Sequence, residues 1–335
     1  MSMPKITVFM AAYNQTNYIK KSIESILSQS FTDFELIVLN DGSTDDTVAN
    51  VNTFNDERII LVHNESNKGL VFTRNRLLDL AKGEFIAILD SDDIAYPNRL
   101  KLQYEFLKSN PNVVLCGGHA NVIDENNKKT GQKLNVPVDD NIDLFMLFGN
   151  PFVNSTTMFK RTIFNEFLGY REYAPAEDFD LFSRISEKYR IANIDHVLVE
   201  YRIHSNNTSF SNSDVLFKQE QKILKNLLNK IGISESGNFA DIHIELFKSD
   251  YKLKNLNNYL HFFDALKQAN GKSNRYDQLR LERFLYQKWL QILGSPNVDM
   301  LILNWYFRKE VFTWGNFDLK KFRKAFKKSI KHVFK

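Results

Sequence analysis

Acidic side chains cluster on two short turns of the sequence. Asn40-Asp41-Gly42-Ser43-Thr44-Asp45-Asp46 follows one apolar run, and Asp90-Ser91-Asp92-Asp93 follows another. Carboxylates placed this close repel one another unless a cation lies among them. Mg²⁺ and Mn²⁺ bind in such places, through one or two carboxylates together with ligand phosphates. We therefore interpret Asp90 and Asp92 as groups that hold a metal or a nucleotide, and Asp45 and Asp46 as helix caps or solvated turn residues.

Basic residues that could face a diphosphate follow the third apolar run. Lys68 and Arg74 supply cations there, and Arg74 can make a forked contact to a phosphate or a base carbonyl. Neither G-x-G-x-x-G after the first strand nor G-x-x-x-x-G-K-[ST] occurs in the sequence, so phosphates would be held by a metal and side chains. Taken alone, Arg74 is also consistent with a surface arginine on a helix.

A third acidic pair, Glu177-Asp178, stands where a helix is predicted to begin. Acids at that position commonly cap the helix and offset its dipole, and the residues alone favour this interpretation. A positioned carboxylate can also remove the proton of an attacking hydroxyl, as a general base does. His204 follows a predicted strand, where a structural role and a metal-binding role both stay open.

These residues can form one site only if the fold brings the strand ends together. The pattern of the first 115 residues predicts such a fold. Apolar strand-like runs alternate with helical segments, the strands at 5–12, 34–40, 58–62 and 84–90 and the helices at 17–30, 43–54 and 70–82. Continuously apolar strands are typical of a parallel sheet that is covered on both faces. We expect an α/β fold with a doubly wound, mostly parallel, Rossmann-like sheet, with ligands at the carboxyl ends of its strands.

Beyond residue 115 the pattern is less regular and then becomes helical. Strands are predicted at 113–123, 156–159 and 191–204, and a helix at 177–189. Further helices are predicted at 213–231, 240–252, 255–269, 274–293 and 298–310. We place a domain boundary near residue 211, with a catalytic domain over 1–211 and a helical region over 212–335. The helical region could dock an acceptor, form a homo-oligomer interface or support the first domain.

Composition excludes several classes of protein. The chain has 335 residues, of which 43% are hydrophobic and 25% charged, as is ordinary for a globular protein. Its single cysteine, Cys116, excludes a disulfide framework and a multi-cysteine metal site, and it fits a reducing compartment. The sequence contains neither a signal-peptide pattern nor an apolar stretch long enough for a membrane span. We therefore expect a cytoplasmic location.

Positive charge is concentrated at the carboxyl end. Residues 319–335 carry eight Lys or Arg and no acid, which leaves the remaining residues at −4 within a total of +4. A mildly acidic body argues against nucleic acid as a partner. Five apolar residues recur at helical spacing in this tail: Leu319, Phe322, Phe326, Ile330 and Val333. The pattern is typical of a helix lying in an anionic membrane surface, here the inner face of the cell membrane, and a terminal helix packed on the body is the alternative.

Taken in order, five segments resemble the inverting family 2 glycosyltransferases, which have the GT-A nucleotide-sugar fold. The segments are ITVFMAAYNQTNYIKKSIESILSQSFTDFELIVLNDGSTDDT, NKGLVFTRN, GEFIAILDSDD, AEDFDLFSR and YRIHSNNTS, within 5–210. The resemblance implies a metal-dependent enzyme that moves a sugar from a nucleotide-sugar donor, expected to be UDP-linked, to a hydroxyl of a glycan or lipid-linked acceptor. It also implies a role in surface polysaccharide biosynthesis. Ala11 and Asn40 depart from the Pro and Asp that the family often has there.

The resemblance further implies roles for individual residues. Six residues would hold the donor nucleotide: Ala12, Tyr13, Asp41, Lys68, Arg74 and Asp90. Asp92 would bind the Mn²⁺ or Mg²⁺ that bridges the two phosphates, and His204 matches a second metal ligand of some members. Asp178 matches the catalytic base.

Two other functions stay open at this point. A sugar nucleotidyltransferase also uses an α/β sheet and acidic metal ligands, but it expects a glycine-rich loop after the first strand, where this chain has Ala11-Ala12-Tyr13-Asn14. A catalytically degenerate transferase-like domain could instead serve as a binding or assembly module. The presence of Asp41, Asp90, Asp92 and Asp178 weighs against the second alternative.

Overall fold

The strands form a single sheet. A computed structural model describes residues 3–205, 207, 212–233, 239–298 and 303–313, together with 315, 319–320, 322–323 and 326–327. Within these residues the sheet has nine strands. In chain order they are β1 (Ile6–Ala12), β2 (Phe34–Asn40), β3 (Ile59–His63), β4 (Phe85–Ile88), β5 (Ile94–Ala95), β6 (Val113–Ile123), β7 (Lys129–Leu134), β8 (Met158–Lys160) and β9 (Arg190–Arg202).

Helices connect the strands and make up the later part of the chain. In chain order they are α1 (Ile19–Leu27), α2 (Thr47–Val51), α3 (Leu70–Leu80), α4 (Arg99–Ser109), α5 (Ile142–Phe145), α6 (Phe164–Phe167), α7 (Glu177–Ser186), α8 (Ser213–Lys230), α9 (Phe239–Lys248), α10 (Leu256–Ser273), α11 (Gln278–Gly294) and α12 (Leu303–Tyr306). Helix α2 begins later than predicted, at Thr47, whose amide donates a hydrogen bond to the Asp45 carboxylate at 3.0 Å in a turn that precedes the helix. Neither α4 nor β7 was predicted.

The strand order brings the ends of β1, β2 and β3 to the same edge. The order across the sheet is β3-β2-β1-β4-β8-β6-β9-β5, with β7 paired to β6. β1 pairs in parallel with β2 and β4, and its last residue, Ala12, lies opposite Asn40 of β2. Asn40 in turn lies opposite His63 of β3. The predicted α/β fold with a mostly parallel sheet is confirmed, with antiparallel pairing at β5, β7 and β8.

The sheet is covered by apolar side chains, as the continuously apolar strands predicted. All seven residues of β2 are buried. Helix α1 buries Ile19, Ile23 and Ile26 completely, and these residues recur at steps of four and three, so one face of the helix lies in the core. Burial on both sides keeps the strand ends rigid, which is what a site built from those ends requires.

The chain divides into two compact units, 1–143 with 150–220 and 144–149 with 221–335. The first unit contains the sheet. In its described residues the second unit is helical, and its core is rich in aromatic rings. Trp289 is fully buried there and donates its indole N–H to the Trp305 carbonyl at 2.9 Å. The division of the chain at residue 211 into a catalytic domain and a helical region stays a prediction.

Two predicted segments fall partly outside the described residues. From the helix predicted at 298–310 the structure describes α12, while 299–302 lie outside the description. From the basic tail, residues 321, 324–325 and 328–335 also lie outside it, Ile330 and Val333 among them. Among the helices that are described, none combines the length and the apolar character needed to cross a membrane.

Candidate active site

A cavity of about 680 Å³ lies at the carboxyl ends of the parallel strands. Seven of the residues singled out from the sequence line it: Ala12, Tyr13, Asp41, Arg74, Asp90, Asp92 and Asp178. Lys68 and His204 do not line it. Asn67 and Gly69, on either side of Lys68, do line it, and so does Asn207, three positions after His204. The strand topology therefore brings together residues that are up to 166 positions apart in the sequence.

Asp41 follows β2 and holds the loop that precedes α3. Its Oδ1 accepts hydrogen bonds from the Lys68 amide at 2.8 Å and from the Asn64 side chain at 2.6 Å, and its Oδ2 accepts one from the Gly69 amide at 3.0 Å. Lys68 thus contacts Asp41 through its backbone, while its side chain is exposed. Asp41 is 5% exposed but still borders the cavity, so it can shape a base-binding pocket as well as the loop.

Gly42 lets this loop approach the end of β2. Its φ is +73°, and a Cβ built there would lie 2.6 Å from the Asn67 nitrogen and from the Ser66 carbonyl carbon. Only glycine accommodates both the conformation and the close contact. The sequence Asp41-Gly42 therefore fixes the position of residues 64–69 at the cavity edge.

Arg74, which is buried, forms an ion pair with the partly exposed Asp90 at the end of β4. Arg74 lies on α3, is 7% exposed and donates from one guanidinium nitrogen to Asp90 Oδ1 at 3.2 Å and from the other to Glu177 Oε1. Asp90 also accepts hydrogen bonds from the Asn154 side chain at 3.1 Å and from the Ser155 hydroxyl at 2.9 Å. Burial lowers the pKa of Arg74, but Glu177 and Asp90, together with Tyr170 and Asp178, raise it above its ordinary value.

Asp92 lies against His204, which follows the end of β9. The Asp93 carboxylate accepts a hydrogen bond from the Arg202 amide at 2.8 Å, and Arg202 Nε donates to the Asp92 carbonyl at 2.6 Å. This double link ties the last residue of β9 to the acidic turn. Two residues later, His204 Nε2 lies 2.9 Å from Asp92 Oδ2. Burial and the neighbouring carboxylates, first Asp92, raise the pKa of Asp93 well above its ordinary value.

The Asp92–His204 pair has the chemistry and the spacing of two ligands of one divalent cation. Two ligand atoms that are each about 2.1 Å from a cation and at right angles to each other are about 3.0 Å apart. The observed separation is 2.9 Å. Within the described part of the chain, no three His, Cys, Asp or Glu side chains are grouped as a complete metal site. A cation bound here would need its remaining ligands from water and from ligand phosphates, as Mg²⁺ commonly does.

The hydrogen-bond partners of Asp90 differ from those of Asp92. Its oxygens contact Arg74, Asn154 and Ser155, whereas Asp92 Oδ2 contacts His204 and Asn207. The two carboxylates line one cavity with separate surroundings. Asp92 therefore remains the candidate metal ligand, and Asp90 the candidate for the nucleotide side, as the resemblance implied.

Asp178 lies in the first turn of α7 and borders the cavity. Its Oδ1 accepts a hydrogen bond from the Phe179 amide at 2.7 Å, and its Oδ2 accepts one from the Asn150 side chain at 3.2 Å. Burial and the adjacent Glu177 carboxylate raise the pKa of Asp178 to about 7, against the opposing effect of Arg74. A carboxylate with such a pKa can accept a proton near neutral pH.

A second ionic cluster anchors α7. Asp180 is 2% exposed and accepts hydrogen bonds from Arg171 and, at 2.9 Å, from Arg184 Nε. Arg184 also donates to the carbonyl of Gly169 at 2.7 Å. The helix that carries Asp178 is thus fixed to the segment before it, and Asp180 has a structural role.

Several residues of the site had not been assigned a role from the sequence. They are Asn64, Asn150, Asn154, Ser155 and Arg202. The polar stretch at 154–157 was a signal for two of them, because it follows a region with few polar residues. The others are single residues whose partners are distant in sequence, and no local pattern marks them.

Comparisons with known proteins show the family to which this chain is similar. Residues 7–168 match the model of the family described as glycosyl transferase family 2. The chain is 32% identical over 212 residues to the O-antigen biosynthesis glycosyltransferase WbnJ of Escherichia coli, which covers 62% of this chain and 82% of the relative. It is 30% identical over 236 residues to the E. coli UDP-Glc:alpha-D-GlcNAc-diphosphoundecaprenol beta-1,3-glucosyltransferase WfaP, covering 69% and 88%.

Solved structures share the fold at low sequence identity. TarS residues 1–349 of S. aureus, solved with UDP-GlcNAc, align with a TM-score of 0.55 and 18% identity over 88% of each chain. The mannosyltransferase PcManGT of Pyrobaculum calidifontis, solved with GDP-Man and Mn²⁺, aligns with a TM-score of 0.54 and 17% identity over 98% of this chain and 88% of that one. At these identities the likeness concerns the fold alone.

Proposed function

Because the chain belongs to glycosyl transferase family 2, we propose that it is an inverting, metal-dependent transferase that uses a nucleotide sugar with a uridine diphosphate leaving group. One observation carries the proposal. A single cavity is bordered by the Asp92 side chain, which lies against His204, and by Asp178, whose pKa is raised to about 7. The first pair suits a diphosphate with its cation, and the second group suits an acceptor hydroxyl.

The nucleotide would lie at the ends of β1 and β2. Ala12 and Tyr13 follow the first of these strands and Asp41 the second, and all three border the cavity. Tyr13 is 45% exposed, so its ring is available to cover a base. Each carboxylate oxygen has more than one acceptor site, so Asp41 can accept a further hydrogen bond from a base N–H beside those it already accepts. Uridine presents such an N–H, as guanosine and thymidine also do, so the choice of uridine is supported by the relative that is named for UDP-Glc.

Asp92 and His204 would hold the divalent cation. Bound there, Mn²⁺ or Mg²⁺ would neutralise the charge that develops on the departing diphosphate. Asp90 and Arg74 stand beside them and would orient the ribose side of the nucleotide. Arg74 donates hydrogen bonds to both Asp90 and Glu177. It would therefore hold these carboxylates in position in addition to contacting the donor.

Asp178 would act on the acceptor. Its carboxylate takes the proton of the acceptor hydroxyl as the hydroxyl oxygen forms a bond to the anomeric carbon. The bond from that carbon to the diphosphate breaks in the same step, and its electron pair leaves with the diphosphate. One displacement inverts the anomeric carbon. We assign the base to Asp178 and not to its neighbour Glu177, because Glu177 is 1% exposed and bonded to Arg74.

The acceptor proposed is a glycan or a lipid-linked sugar of surface polysaccharide biosynthesis. This part of the proposal is supported by the relatives, one of which is named for O-antigen biosynthesis and the other for a diphosphoundecaprenol acceptor. Family membership also favours sugar transfer over nucleotidyl transfer.

Residues 319–335 would place the protein at an anionic membrane surface on the cytoplasmic side, where a lipid-linked acceptor is found. The segment carries eight basic residues and no acid. Of its apolar residues, Leu319 is 52% and Phe326 45% exposed, while the Phe322 ring packs on Tyr306 at 5.3 Å. Exposed apolar side chains among lysines suit insertion between charged headgroups.

Vesicle sedimentation tests the membrane part. The full chain should sediment with phosphatidylglycerol vesicles and remain in solution with phosphatidylcholine vesicles, whereas a chain lacking 319–335 should remain in solution with both. Donor hydrolysis by the shortened chain should be unchanged. Equal sedimentation of the two chains with phosphatidylglycerol would contradict this role.

The transferase proposal is tested by release of nucleoside diphosphate from a panel of UDP-, GDP- and dTDP-sugars with MnCl₂, with MgCl₂ and with EDTA. We expect metal-dependent release of UDP from at least one UDP-sugar and loss of release in EDTA. Release that is equal with metal and with EDTA would contradict metal dependence. Binding of nucleotide sugars without any turnover, with acceptor extracts present, would support a degenerate binding module instead.

A further inference from the structure

Asn150 touches the group that the proposed mechanism uses as its base. Its Nδ2 donates a hydrogen bond to Asp178 Oδ2 at 3.2 Å, and both residues line the cavity. Asn150 is 28 positions away from Asp178 and belongs to no predicted motif. The described residues give the Asp178 carboxylate one other hydrogen bond, from its neighbour Phe179.

The orientation of the Asn150 amide is fixed by a second hydrogen bond. Its Oδ1 accepts from the Phe152 amide at 3.1 Å. A flipped amide would set its NH₂ group against the Phe152 N–H and its oxygen against the Asp178 carboxylate, and both contacts would be repulsive. The donating nitrogen therefore faces the carboxylate.

The segment that carries Asn150 is attached to the helix that carries Asp178. Phe152 is 6% exposed, and its ring lies 5.2 Å from the ring of Phe182 on α7. The carbonyl of Pro151 accepts a hydrogen bond from Asn193 of β9 at 3.0 Å. With the segment held on both sides, the contact between Asn150 and Asp178 needs little reorganisation when a ligand enters.

Most of the charged groups around Asp178 disfavour the ionised form of its carboxyl. Glu177 on the same helix and Asp90 after β4 raise its pKa together with burial, while Arg74 on α3 lowers it. Tyr170, whose own pKa is raised by burial, faces the same group of charges. A neutral donor aimed at the carboxylate stabilises the ionised form without adding charge to the cavity.

We propose that Asn150 is a positioning residue that directs the carboxylate of Asp178 toward the acceptor hydroxyl and favours its ionised form. The inference rests on the proposed function of Asp178 as the base. Among the described residues the hydrogen bonds of Asn150 are with Asp178 and with its own segment, so it would act on the reaction through the carboxylate.

The test compares Asn150→Ala, Asn150→Ser and the wild-type enzyme in the pH dependence of kcat for UDP-sugar hydrolysis. Loss of one donor should raise the midpoint of the ascending limb by about one pH unit and lower kcat at pH 7 about fivefold. The Kd of UDP should be unchanged. Asn150→Ser keeps a hydroxyl donor and should show a smaller shift. An Asn150→Ala enzyme with a lower kcat but an unchanged midpoint would overturn the proposal, because a structural role alone predicts that result.

Two further measurements separate the inference from its premise. Asn193→Ala loosens the same segment but keeps the donor, and it should leave the midpoint in place. Titration of ¹³C-labelled aspartate carboxyls, assigned with Asp178→Asn, reads the pKa of Asp178 without turnover and should show the same upward shift in Asn150→Ala.

If Asp178→Asn retains full turnover, the base assignment fails. If Asp178→Asn is inactive and the carboxyl titration of Asn150→Ala does not move, the role of Asn150 alone fails.

Discussion

His204 Nε2 lies 2.9 Å from Asp92 Oδ2, across a sequence separation of 112 residues. The pair is brought together by the paired end of β9, where Arg202 is bonded to Asp93 and to the Asp92 carbonyl. A similar pair elsewhere in the chain, His119 and Asp195, lies 3.0 Å apart, but Asp195 is 84% exposed. The two pairs differ in burial, since the Asp92 side chain is 14% exposed, and the second pair therefore supplies a control.

Asp92→Ala should abolish metal-dependent binding of the donor nucleotide, because it removes the carboxylate that would hold the cation. Titration calorimetry with UDP in the presence and absence of MnCl₂ measures this. In the wild-type protein the affinity should depend on Mn²⁺, and in the variant it should not. Asp195→Ala removes the carboxylate of the exposed pair and should keep the wild-type response. Unchanged Mn²⁺-dependent affinity in Asp92→Ala would refute the metal assignment.

Arg74→Ala should lower the free energy of unfolding by about 3–5 kcal/mol, since it leaves the buried Glu177 carboxylate without its cation. Urea unfolding measures the change. Lys108→Ala removes an exposed ion pair with Glu84, whose side chains are 50% and 45% exposed, and should cost about 1 kcal/mol or less. Equal losses in the two variants would mean that the Arg74 bridge contributes no more than a surface pair.

Gly42→Ala should weaken UDP binding and destabilise the protein more than Gly131→Ala does. Both glycines have positive φ, +73° and +81°, so each substitution has a conformational cost of about 1–3 kcal/mol. At Gly42 the added Cβ also meets the loop at 2.6 Å, whereas nothing lies within 4 Å at Gly131. Thermal unfolding and UDP calorimetry of the two variants check this. Indistinguishable variants would show that the loop can move away without consequence.

The rate of transfer should rise with pH through a midpoint near 7. Burial and Glu177 raise the pKa of Asp178 to about 7, so the base is protonated and inactive below that pH and ionised above it. Initial rates at saturating donor between pH 5 and 8.5 measure the profile. A rate that stays flat from pH 5 to 7 would mean that the base ionises with an ordinary carboxyl pKa.

The sequence predicted the edge of the sheet that borders the cavity better than the interior of the site. β2 and β6 both have the predicted bounds, and for β2 the reason is that a buried parallel strand is marked by an unbroken apolar run. The acidic turns could be located because parallel strands end at one edge. β7 could not, since its residues are nearly all exposed and carry no apolar alternation.

The supporting residues could not be predicted for a different reason. The guanidinium of Arg202 is fully buried and bonded to backbone carbonyls of distant turns, at Asp92 and Asp124. Such contacts depend on the three-dimensional path of the chain and leave no local pattern. Asn150 is of the same kind, since its role appears only when α7 is placed beside it.

Replacement of the proposed base tests the central claim most directly. Asp178→Asn keeps the shape of the side chain and removes its ability to accept a proton, so turnover of the UDP-sugar should fall by about 10²–10⁴-fold. The Kd of UDP, measured by calorimetry on the same preparation, should stay at the wild-type value. Turnover close to that of the wild type, with intact UDP binding, would contradict the account.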